Sequence, residues 1–102
     1  MKKSNKLYLR IDYGVEGKDL DDQGFQEHLT WAKKLANERY FIGGGMVNTK
    51  EEKDGMIGCL FEAENRGEAE IIIKNDPLIE NGYYRYELYE WDMVIFSDSV
   101  FM

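Results

Sequence analysis

The sequence predicts an α+β fold: a four-stranded antiparallel sheet with two helices on one face. Two stretches carry apolar residues at helical spacing, and four carry strand-like runs. Their order along the chain is strand, helix, strand, strand, helix, strand. The 102 residues, 43% apolar and 32% charged, have the balance expected of one globular domain spanning 1–102.

Lys6 to Tyr13 alternates Leu7, Leu9 and Ile11 with Tyr8, Arg10 and Asp12, the pattern of a half-buried strand. Gly14 to Gly24 is acidic and punctuated by glycine, hence a loop. Phe25, Leu29, Ala32, Leu35 and Ala36 recur at spacings of three and four, which predicts a helix over about residues 20–38. The acidic stretch Asp19 to Asp22 suits the positive end of that helix. Its partial likeness to a calcium loop fails at the twelfth position, where Thr30 replaces the bidentate glutamate, so no metal is expected there.

Tyr40 to Thr49 is apolar and β-rich but interrupted by Gly43, Gly44 and Gly45. Asn48 to Gly55 is polar and ends in Asp54-Gly55, a hairpin signal, and Met56 to Glu62 is the returning strand. Asn65 and Glu68 have the form of a capping box for a second helix reaching about Asn75. Asp76-Pro77 ends it, because a residue before proline is pushed out of the helical region. Tyr83 to Ile95 is rich in aromatic residues and forms the last, long strand. The apolar tail from Phe96 to Met102 carries no structural signal.

This order is the ferredoxin-like β-α-β-β-α-β pattern. Both helices cover one sheet face. The open face is expected to carry Tyr8, Arg10, Met56, Leu60, Tyr89 and Trp91. That set is too apolar to leave in water, so two sheets packed face to face, a homodimer, are expected.

The net charge of 13 − 20 = −7 speaks against nucleic acid and against an anionic membrane surface as partners. No run approaches the roughly 18 apolar residues of a membrane span. One cysteine, Cys59, allows no internal disulfide and suits a reducing compartment, which makes the cytoplasm the expected location. Cys59 alternates with Ile57 and Phe61 and reads as a buried, inert thiol.

His28 is the sole histidine, three residues after Phe25 and one before Leu29. Histidine is the side chain best suited to proton transfer near neutral pH, although a helix-face histidine is more often structural. Asp76 is the second candidate. At the end of a helix its charge meets the negative end of the dipole, and its structural role there is to start a turn before Pro77. In this fold the start of the first helix can approach the end of the second, so the two residues can meet. Gly43-Gly44-Gly45 lacks phosphate-loop spacing and marks either close packing or the approach of a ligand to the backbone.

These residues resemble the YCII-related family. The likeness runs through Glu27-His28-Leu29, Phe41-Ile42-Gly43-Gly44-Gly45, Asn75-Asp76-Pro77-Leu78, Asn81-Gly82-Tyr83 and Glu90-Trp91, over about residues 6–95. The resemblance implies a ferredoxin-like fold that dimerises into an α/β barrel, and a catalytic pair made of His28 and Asp76. Some relatives are linked to dehydrochlorination of hydroxylated aromatic acids.

The expected function is cofactor-free proton transfer, an elimination or isomerisation, on a small organic acid or lactone. His28 would be the base or acid and Asp76 its orienter. Backbone groups of Gly44 and Gly45, with Tyr8 or Arg10, would bind substrate and stabilise developing charge. The rival is a non-catalytic small-ligand-binding or assembly module in which His28 and Asp76 form a structural hydrogen bond.

Overall fold

The computed structural model describes residues 1–47 and 53–101. Its elements are β1 (Lys6–Gly14), α1 (Asp22–Glu38), β2 (Phe41–Val47), β3 (Lys53–Ala63), α2 (Arg66–Lys74), α3 (Pro77–Glu80) and β4 (Tyr84–Trp91), followed by a 3₁₀ turn at Asp98–Phe101. The strands form one sheet in the order β2-β3-β1-β4, and every pairing is antiparallel. This is the ferredoxin-like architecture expected from the sequence.

Pairing fixes the faces, since directly opposed residues point to the same side. Tyr8 opposes Phe61, and Arg10 opposes Cys59 and Leu88. Tyr8, Phe61, Cys59 and Leu88 pack with Leu35 of α1 and Ala69, Ile72 and Ile73 of α2 to make the core. Tyr8 and Arg10 therefore lie on the helix-covered face, not on the open one. The open face carries Leu9, Ile11, Leu60, Tyr89 and Trp91, together with Ile42. Leu60, Tyr89 and Trp91 are there as expected. Alternation ordinarily turns the apolar half of a strand inward, and β1 turns Tyr8, Arg10 and Asp12 inward instead. Arg10 and Asp12 can be buried because they bond to each other.

Asn65 caps α2 by accepting the Glu68 N–H at 2.9 Å. Glu68 Oε1 turns to Arg39, at 2.8 Å, and so ties α2 to the end of α1. Asp21 caps α1 by accepting the Gly24 N–H at 2.7 Å, which gives the acidic loop its local purpose.

Three boundaries differ from expectation. Asp54 and Gly55 belong to β3, and the connection at 48–52 lies outside the described residues. β4 stops at Trp91, which pairs with Leu7, one residue inside the start of β1 at Lys6. Chain beyond Asp76 forms α3, a separate short turn, rather than a plain loop. The tail from Met93 to Val100 gathers beside Met1, Leu7, Leu60 and Trp91, and the Met1 ammonium donates to the Val100 carbonyl at 2.9 Å. Among the described residues no helix is long and apolar enough to cross a membrane.

Candidate active site

Four elements bring charged groups to one place. Arg10 and Asp12 stand two apart on β1, so both side chains leave the same sheet face. His28 comes from the second turn of α1. Asp76 comes from the join of α2 and α3. There Asn75 ends α2, and Pro77 takes the first position of α3, where its missing N–H costs nothing.

This corrects the expected electrostatics of Asp76. Its carboxylate does not face the negative end of a helix. It is the N-cap of α3, and its Oδ1 accepts the Leu78 N–H at 3.0 Å. Two bonds close α3: the Tyr83 N–H to the Leu78 carbonyl and the Gly82 N–H to the Ile79 carbonyl. Gly82 has φ of +76°, a conformation that a side chain would strain.

The same Asp76 Oδ1 lies 2.8 Å from His28 Nδ1. Arg10 Nη2 approaches Asp76 Oδ2 to 2.7 Å, an ion pair at close range but without hydrogen-bond alignment. Arg10 Nε donates to Asp12 Oδ1 at 2.6 Å. Asp12, Arg10, Asp76 and His28 thus form one chain of contacts. The first three are buried, and the His28 side chain retains 19% exposure, enough to reach solvent.

Burial alone would raise the Asp76 carboxyl. The His28 hydrogen bond, the Arg10 charge and the Leu78 N–H together outweigh it and hold the group below its ordinary value. For Asp12 the balance goes the other way: burial raises it despite the Arg10 bond. Burial pushes the Cys59 thiol up to about 12, so it stays an unreactive thiol at neutral pH.

Trp31 was not singled out by sequence reasoning and belongs to this site. Its ring stacks on His28 with centroids 5.8 Å apart, and the Arg10 guanidinium carbon lies 5.7 Å from its centroid. Its spacing of three from His28 puts it on the same helix face, a signal that could have found it. Asp12 was also missed, though its spacing of two from Arg10 was legible.

Beside this network opens a cavity of about 260 Å³. Arg10, Asp12 and His28 supply polar groups, while Phe25, Trp31, Phe41 and Tyr84 supply aromatic walls. Gly44 and Gly45 line it, and a Cβ added at either would meet nothing within 4 Å, so close packing does not explain these two glycines. Gly43 differs, since its Cβ would fall 3.2 Å from that of Cys59. Tyr8 stays apart from the cavity. Its ring lies in the core against Phe61, and its hydroxyl donates to Glu90 at 3.0 Å.

The architecture and the cleft are those of a small ferredoxin-like domain with a His–Asp pair beside an aromatic cavity. The chain belongs to the YCII-related family, whose domain matches residues 6–92. Its fold is similar to that of 5-chloro-2-hydroxyhydroquinone dehydrochlorinase (TftG) from Burkholderia phenoliruptrix AC1100, solved in complex with 2,5-dihydroxybenzoquinone. The TM-score is 0.68 at 20% identity, over 84% of this chain and 93% of that one. An Arabidopsis thaliana protein, At3g17210, shares the fold at TM-score 0.52 and 13% identity, over 90% of this chain and 98% of that one. No curated protein sequence matches the chain.

Proposed function

We propose that this protein is a small cofactor-free enzyme that moves protons on a ring-bearing organic molecule, by elimination or isomerisation. The observation that carries this reading is the 2.8 Å contact of His28 Nδ1 with Asp76 Oδ1 at the edge of an aromatic-walled cavity. Asp76 accepts from Nδ1–H, which leaves Nε2 as the nitrogen that takes a proton from substrate. Trp31 holds the imidazole plane by stacking. Gly44 and Gly45 line the cavity, and their backbone N–H groups, with the Arg10 guanidinium, would be the donors to a developing oxyanion. TftG, a protein of like fold, binds a hydroxylated quinone, which makes such rings the first ligands to try.

The working unit in this proposal is a homodimer joined through the open sheet face, in the cytoplasm. The test of function is a panel of hydroxylated quinones, ring ketones and chlorinated ring acids, followed by deuterium uptake from D₂O and by chloride release. Wild type is expected to turn over at least one member, and His28→Ala to lose about 10²-fold or more. Full turnover by His28→Ala would reject the proposal.

A second reading has its own support. Asp76 is fully buried, its Oδ1 shared by His28 and the Leu78 N–H and its Oδ2 in an ion pair with Arg10, as a purely structural carboxylate could be. On that reading the protein is a ligand-binding or assembly module. His28→Ala then costs about 1–3 kcal/mol of stability and leaves ligand affinity unchanged.

A further inference from the structure

Arg10 is the least satisfied group of the network. Its Nε–H goes to Asp12 Oδ1 at 2.6 Å, but neither Nη1 nor Nη2 has a hydrogen-bond partner among the described residues. The 2.7 Å approach of Nη2 to Asp76 Oδ2 balances charge without aligning an N–H on that oxygen. Cys59 stands directly opposite Arg10 in the sheet, and a thiol accepts only weakly. Trp31 lies over the face of the guanidinium, whereas the N–H groups point outward in its plane. A guanidinium 1% exposed cannot turn to bulk water for the missing acceptor. Arg10 lines the cavity, and the cavity is where an acceptor can stand.

We propose that Arg10 is the specificity-determining residue of this cavity, donating from Nη1 to a carbonyl oxygen on a flat, ring-bearing ligand. The inference deepens the reading of the cavity as a proton-transfer site and rests on it. Two observations set the ligand class. The guanidinium charge is already met by Asp12 and Asp76, so the acceptor needs lone pairs rather than a formal charge. A carbonyl oxygen supplies them and brings no donor of its own that would need a further partner. Phe25, Trp31, Phe41 and Tyr84 give the walls on which a ring can lie. A ring ketone meets both demands. A hydrocarbon ring of the same shape leaves the Nη1 donors unpaired, and that cost selects against it.

The same contact serves the chemistry. His28 and Arg10 flank one carboxylate, His28 at Asp76 Oδ1 and Arg10 at Oδ2, so both address the same end of the cavity. Neutral His28 takes a proton from the carbon next to the carbonyl, and the C–H electron pair becomes a C=C bond. The carbonyl π pair moves onto oxygen. The products are an enolate and an imidazolium. The imidazolium then returns its proton to carbon, the C=O bond re-forms, and His28 is neutral again. The Arg10 hydrogen bond strengthens as the oxygen gains charge, which favours the enolate over the ketone it came from. Asp12 neither gives nor takes a proton in this sequence and serves to hold Arg10 through Nε.

The test compares acetophenone with α-methylstyrene, a flat ring of the same shape in which C=CH₂ replaces C=O. Both are titrated by NMR into wild type and Arg10→Met, which keeps the length of the side chain and removes its donors. The affinity ratio of acetophenone to α-methylstyrene is expected to be about tenfold or more higher in wild type than in Arg10→Met, the worth of one hydrogen bond from a charged donor. A ratio equal in the two proteins, or a wild type that binds neither ring, overturns the proposal. Should Arg10→Met not fold, the ¹⁵Nη resonances of Arg10 in wild type decide. They shift with acetophenone and not with α-methylstyrene if the contact forms, and respond to both alike or to neither if it does not. These readouts need no turnover, whereas the proton-transfer reading is decided by turnover in His28→Ala, so the two fail separately.

Discussion

Asp76 Oδ1 serves a histidine and a helix cap at once, so one substitution there disturbs both local structure and the site. The group is held below its ordinary value of 3.8 in the fold, so the unfolded chain binds its proton more readily. The stability this gives is fully present above the ordinary carboxylate range and is lost as the pH falls through the folded value. Asp12 is raised and acts with opposite sign, costing stability as the pH rises past 3.8. Asp76→Asn is therefore expected to be less stable than wild type at pH 7 and to lose less on acidification toward pH 3. Urea denaturation across that range checks it, and an acid limb as steep as that of wild type would contradict the assignment. Trp31 has a separate consequence. Trp31→Leu removes the stack on His28 and the face beneath Arg10 and is expected to cost about 1–2 kcal/mol. Broadened His28 ring signals by NMR would show the freed imidazole; unchanged signals would show that Asp76 alone holds the ring.

At the scale of elements, α1 was legible because its apolar residues recur every three or four positions, and α2 because Asn65 announces its start. The faces of β1 were not legible. Sequence reading places the apolar half of an alternating strand inside, and here the inner half is Tyr8, Arg10 and Asp12. Burial of that half depends on partners about 66 residues away in sequence, Asp76 to Arg10, which no local pattern reveals. The pairing of His28 with Asp76 was anticipated from topology, yet the reason for Asp76 was not, because α3 is only four residues long. That short element depends on Gly82. Gly82→Ala, at φ of +76°, is expected to cost about 1–2 kcal/mol and to weaken the grip on His28 by loosening the turn that follows Asp76. Thermal unfolding and the His28 ring shifts together check this. A loss below about 0.3 kcal/mol would mean that the Schellman closure contributes little.

At the scale of the whole molecule, the inside-out β1 changes the argument for assembly. With Tyr8 and Arg10 on the covered face, β1 gives Leu9 and Ile11 to the open face in their place. Ile42 is 56% exposed, Tyr89 48% and Trp91 52%, and Leu9, Ile11 and Leu60 lie between them. The tail covers only the end of this face near Leu7 and Leu60, and Val94 and Ile95 are themselves exposed. An apolar patch of this kind, bordered on β4 by Glu87 and Arg85, is stabilised by a second layer, and an identical sheet supplies one with matched shape. Light scattering is therefore expected to give twice the 12.0 kDa chain mass. Trp91→Glu with Ile42→Lys places charges on the open face away from the helix-covered core and is expected to yield a folded monomer. A wild type that scatters as 12.0 kDa, or a double variant that remains twice that mass, would remove the sheet face as the dimer interface. Because the cavity lies on the helix side, the monomeric variant is also expected to retain binding of whichever ring of the panel the wild type binds, which separates assembly from ligand recognition.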